Sequence, residues 1–167
     1  MLKLVKFPDP ILRQRMPDFD FTNPVIDPVE LEKDMINIML AADGIGLAAN
    51  QVGINTRMFV MGHRDNPEAA QAFFNPKIIE NTTESINLEE GCLSFPGIYV
   101  KIKRPTAIKA RWQNSQGEVE EGEFDGYNCK CFLHEYDHLE GITFQDRVSS
   151  LKWAMAVKKT KVKRKYK

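Results

Sequence analysis

Three cysteines, Cys92, Cys129 and Cys131, are too few and too odd in number to staple 167 residues with disulfides. The chain therefore holds itself together by packing and suits a reducing compartment. No apolar run approaches membrane-spanning length, which excludes a membrane role built on a spanning helix. The first ten residues interrupt their only apolar run with lysine and lack a small-residue cleavage site, so no secretory signal is visible. The expectation is a cytoplasmic protein of bacterial type, or of the host cytoplasm if the source is viral. Net charge is missing too: 23 Lys and Arg balance 23 Asp and Glu, giving no general attraction to nucleic acid or anionic lipid. That balance hides an asymmetry. Residues 151–167 carry eight basic side chains and no acid, which leaves an acidic body over 1–150 and a short basic C-terminal helix or tail over 151–167.

One core is what a body of this length can build. Residues 1–28, rich in Pro and Asp, read as an extended arm laid over the domain. Asp27, Pro28 and Glu30 suit the cap, first and third positions of a helix, and Leu31, Met35, Ile38, Met39 and Ala42 then share a face that belongs in the core. Small residues follow over 44–53 as a loop that lets another backbone approach. Its glycines are misplaced for a dinucleotide fingerprint, and a helix precedes them where a strand is required. Segments 58–61, 73–79, 98–103, 106–112 and 119–124 read as strands, with Pro76 marking an edge or a bend and Asn114 to Gly117 a hairpin turn. Residues 63–70 read as a polar connection, and Ser149–Ser150 can cap a helix docked through Leu151, Trp153 and Met155. The predicted class is α+β: small antiparallel β-sheets around a central helix, with an N-terminal helix before them.

That central helix carries the chemistry. His134 and His138, four residues apart, lie on one helical face, so both imidazoles can reach one metal ion while Glu135 meets a water beside it. The bland reading is a helix with a charged exposed face. A catalytic metal needs a third protein ligand and an open position. Downstream, Phe144 stands where a third histidine would fall in one group of zinc proteases, and Glu140 and Asp146 are too close to fold back easily. A thiolate upstream is the better candidate. Cys129 and Cys131 with His134 would make a cramped cluster that leaves His138 unemployed, whereas Cys92 sits at a bend, between Gly91 and Leu93. Its alternative is a small buried hydrophobe.

The segments 44–51 (Gly-Ile-Gly-Leu-Ala-Ala-Asn-Gln), 90–94 (Glu-Gly-Cys-Leu-Ser) and 134–138 (His-Glu-Tyr-Asp-His) occur in the order and approximate spacing of the signature motifs of peptide deformylase. The chain resembles that family over residues 5–150, including Phe7-Pro8-Asp9-Pro10 and Phe74-Asn75-Pro76. The resemblance implies removal of the N-formyl group from the initiating formyl-methionine of new polypeptides, with release of formate. It implies a single divalent metal on Cys92, His134 and His138, with Fe(II) the usual physiological ion and Zn(II) or Ni(II) able to replace it. Glu135 would take the proton from water and pass it to the departing amine, while the Gln51 side-chain amide and the Leu93 backbone N–H would face the developing oxyanion. The peptide would lie extended beside Gly44, Ile45, Gly46 and Leu47, passing Glu90 and Gly91. Its methionine would enter a pocket formed by Ile45, Leu88, Tyr127, Cys131 and His134. Bacterial members dock a C-terminal helix on the ribosome, so the basic tail implies that partner for a protein expected to be a monomer.

Two positions depart from the family pattern. Leu133 stands where glutamine is usual, and Lys130 brings a charge to the border of the pocket where an apolar residue is usual. Strict methionine preference is thereby less firmly implied than deformylation. Two other readings remain at this stage: a small metallopeptidase on the same helix, and a non-catalytic binding protein with a structural metal, for which Glu135 would be superfluous.

Overall fold

In the computed structural model, which describes residues 2–165 and side chains through Thr160, the first long element begins where its cap chemistry requires. The Asp27 carboxylate accepts from the backbone N–H groups of Val29 and Glu30, both at 2.9 Å, and α1 runs over Pro28–Ala41. It buries Leu31, Met35 and Met39. The arm before it is tied down by backbone bonds from Val5 to Gln51 and from Phe7 to Ser94, with one turn of 3-10 helix at Pro10–Arg13.

Seven strands follow: β1 (Gly46–Ala48), β2 (Met58–His63), β3 (Asn66–Asn81), β4 (Ser85–Cys92), β5 (Phe95–Pro105), β6 (Ala107–Gln113) and β7 (Val119–Asp125). They make a five-stranded sheet of order β1-β2-β3-β6-β7 and a separate β4-β5 hairpin, all antiparallel. Alternation along the large sheet feeds two cores. Met58, Val60, Ala72 and Phe74 pack with the α1 stripe, while the intervening Phe59, Met61 and Phe73 pack on the opposite face. That opposite face is covered by α2 (Gly126–Leu139) through Cys129, Cys131, Phe132, Leu133 and Leu139. Phe59, Phe73 and Phe132 meet ring to ring at 5.0 to 5.5 Å, and each large buried ring adds about 1.5–3 kcal/mol. A third cluster joins β5 to α3 (Ser150–Lys165) through Phe95, Val100, Ile102, Phe144 and Trp153.

The α+β class stands, and several local expectations change. Residues 66–70, expected as a connection, extend β3, because the strand is held by pairing with β2 rather than by apolar content. Of the two readings of Pro76 the bend stands and the edge does not: it lies in an interior strand where the ladder shifts register between Phe74 and Lys77 and Asn75 turns to φ 49°, so the missing proline N–H falls in a bulge. The 44–53 segment is a short strand and a 3-10 turn rather than a loop alone. Cys129 and Cys131 lie buried inside α2, which starts at Gly126. Ser149 does cap α3, its hydroxyl accepting from the Lys152 N–H at 3.2 Å. The side chains of the cationic run beyond Thr160 lie outside the described residues. Among the described residues no helix is long and apolar enough to cross a membrane.

Candidate active site

The face of α2 that carries His134 and His138 looks toward β1 and the end of β4. Cys92 comes to it at the last position of β4, where the hairpin register slips between Gly91 and Cys92 and turns the thiol inward. The ligand atoms of Cys92, His134 and His138 all lie within 4.8 Å of one another. Cys92 Sγ stands 3.3 Å from His138 Nε2; a tetrahedral ion with sulfur and nitrogen ligands needs separations of about 3.3–3.6 Å. His134 Nδ1 donates to Glu90 Oε2 at 2.9 Å, which leaves Nε2 for a metal and fixes the ring. One thiolate and two imidazoles therefore fit a divalent transition metal.

Glu135 is 4% exposed, and its Oε2 has no hydrogen-bond partner among the described residues. Burial pushes its carboxyl up from 4.5 to about 7, against the opposing pull of His134. The close fit explains Gly46: an added Cβ would sit 2.5 Å from Glu135 Oε1 and 2.8 Å from Cys131 Sγ. Gln51 is equally fixed. Its Oε1 accepts from the Ala48 N–H at 2.9 Å, which turns Nε2 toward Ser94 Oγ at 3.3 Å and Cys92 Sγ at 3.5 Å.

Cys92, His134, Glu135 and Gln51 form the floor of a cavity of about 590 Å³, with His138 behind them. Gly44, Ile45, Gly46, Glu90, Gly91, Leu93 and Cys131 border it with Gln51, Cys92, His134 and Glu135. Two expected pocket residues, Leu88 and Tyr127, lie off the cavity border, and Leu47 can offer a peptide its backbone alone. Leu47 is fully buried in the α1 core, and Tyr127 is 67% exposed. Glu90 borders it, but both its carboxylate oxygens are engaged, by His134 and Arg104. Lys130 does lie at the border, its ammonium bonded to the Glu89 carbonyl at 3.1 Å and 4.7 Å above the Tyr127 ring.

Sequence reasoning missed the support beneath the ligands. Arg104 grips Glu90 through Nε and Nη2 at 2.7 and 3.0 Å and Asp137 through Nη1 at 2.7 Å, and Asp137 also binds Arg147. Burial alone would raise Glu90, yet the hydrogen bonds from His134 and Arg104 outweigh it and hold its carboxyl at about 2. Asn50 donates to the His138 carbonyl at 2.8 Å, pinning the end of α2. One signal was present: Arg104 occupies the inward phase of β5 with Val100 and Ile102, where a cation needs buried partners.

The family model for polypeptide deformylase matches residues 1–154. The chain belongs to that family. It is similar to the peptide deformylase of Thermotoga maritima, with 43% identity over 160 residues that cover 95% of this chain and 94% of that protein. The crystal structure of the Thermotoga maritima peptide deformylase superposes with a TM-score of 0.80 at 42% identity, covering 89% of this chain and 98% of that one. A peptide deformylase from Synechococcus elongatus, solved in complex with actinonin, gives 0.88 at 34% identity, covering 95% and 86%. As a family member the chain is a metal-dependent hydrolase that removes the N-formyl group from newly synthesised polypeptides.

Proposed function

We propose that Cys92, His134 and His138 hold the ion and that Glu135 moves the protons of deformylation. The observation that carries this reading is the juxtaposition of three convergent ligand atoms with a buried, half-unpartnered carboxylate at the floor of a peptide-sized cavity. A divalent ion there supplies Lewis acidity and brings the pKa of water toward neutrality. Glu135, with its carboxyl near 7, accepts a proton from the attacking water and returns it to the amine nitrogen as the C–N bond breaks, so water and formyl amide become formate and free amine. The Gln51 amide, oriented by the Ala48 N–H, and the backbone N–H of Leu93 donate to the oxyanion. Gly44 to Leu47 offer a short edge strand along which an extended peptide pairs backbone to backbone. The first side chain enters beside Ile45, Gly91 and Cys131.

For the ion we propose Fe(II), with Zn(II) and Ni(II) competent in the same ligand set; iron beside a thiolate makes the site sensitive to oxygen. We assign residues 1–150 to catalysis and the basic 151–167 to contact with ribosomal RNA, in a cytoplasmic monomer. Deleting 157–167 should then weaken cosedimentation with ribosomes at low salt; unchanged cosedimentation would remove that partner. For the site itself, anaerobically purified protein should release formate from formyl-Met-Ala, and Cys92→Ser should lose both metal and activity. Wild-type protein that is inert on this substrate would end the reading.

A further inference from the structure

The outer wall of the cavity is the start of β5, where Pro96, Gly97, Ile98 and Tyr99 border the open space. Phe95, just before them, turns the other way: its ring stacks on Phe7 at 4.7 Å and meets Phe144 at 5.2 Å and Trp153 at 5.7 Å. Trp153 belongs to α3. So does Thr160, whose hydroxyl donates to the Gly97 carbonyl at 2.8 Å, closer than the Ala156 carbonyl of its own helix at 3.1 Å. The Lys152 ammonium adds a third tie, to the Lys101 carbonyl. The helix thus holds β5 at three points although none of its described residues borders the cavity.

That wall belongs to a two-stranded sheet: among the described residues β5 pairs with β4, and a two-stranded hairpin draws its stability from packing against other elements. Gly97 sits at φ 81°, a left-handed turn that glycine adopts without strain, and with no Cβ the chain there has other conformations open to it unless its carbonyl is tied. The wall also bears on the site floor, since Tyr99 packs so closely over Gly91 that an added Cβ would lie 2.6 Å from its ring. Gly91 immediately precedes Cys92.

We propose that Thr160 and Trp153 are positioning residues of the deformylase: α3 holds the 96–99 wall at the spacing that admits a peptide, so substrate affinity depends on a helix that never touches substrate. The inference rests on the cavity being the peptide site. Thr160→Val removes the hydroxyl at nearly constant volume, and Thr160→Ser restores it. On a formyl-Met tripeptide, Thr160→Val should raise KM about fivefold, as the loss of one hydrogen bond of ordinary strength would, while kcat stays within about twofold. Thr160→Ser should return KM to the wild-type value, and Trp153→Leu should raise it in the same way. A KM unchanged in Thr160→Val, or raised equally in Thr160→Ser, would overturn the proposal. Failure of the site assignment itself reads out differently, as full activity in Glu135→Gln.

Discussion

At Glu135 burial works against charge, and the sign of the result can be checked. Its carboxyl titrates near 7 in the fold against 4.5 in a solvated chain. The folded state therefore holds the proton more tightly, and the stability this contributes is complete below pH 4.5 and lost as pH rises through 7. In metal-free protein, Glu135→Gln should be more stable than wild type by about 3 kcal/mol at pH 8, the gap closing near pH 4.5; urea unfolding at both pH values measures it. Lys130 sets the second prediction at this scale. Lys130 borders the pocket while its ammonium is engaged by the Glu89 carbonyl and the Tyr127 ring, so its charge is not left bare beside an apolar first side chain. Formyl-Met peptides should be processed faster than formyl-Leu and formyl-Ala peptides. Equal efficiency for all three would mean that no methionine pocket exists.

Among the elements, α2 carries His134, Glu135 and His138, yet it is held in place from outside itself. Arg104 on β5 links Glu90 on β4 to Asp137 on α2, and all three side chains are buried. Arg104→Met should strand Glu90 with His134 alone and cost about 3–5 kcal/mol, the penalty for breaking a buried ion pair from one side. Because Glu90 orients His134, metal affinity should fall about 10–100-fold as well, which a chelator competition titration measures. The helix and its motif were legible because a four-residue spacing is a local property, written in consecutive positions. The Arg104 network was not, since its partners lie 14 and 33 residues away and only the fold brings them together. β4 went unread for a related reason: Ile86 is exposed and Leu88 half-buried, so a strand whose inward partner is a helix with a metal site shows no clean alternation.

For the molecule as a whole, strands were legible where two cores bury both faces and leave a continuous apolar run, as in β2, and illegible where pairing alone sustains them, as at the start of β3. The motifs pointed to Cys92, His134 and His138, whose ligand atoms the fold brings within 4.8 Å of one another. Leu88 and Tyr127, which do not border the cavity, show that its apolar border depends on which face each strand and helix turns inward. The measurement that bears most directly on the account is formate release from formyl-Met-Ala as metal is titrated into metal-free protein, for wild type and Glu135→Gln in parallel. Wild-type activity should rise with occupancy and level off at one ion per chain, while Glu135→Gln binds the same ion and stays at least about 100-fold slower. Full activity without metal, or equal activity in the two proteins at equal occupancy, would contradict it.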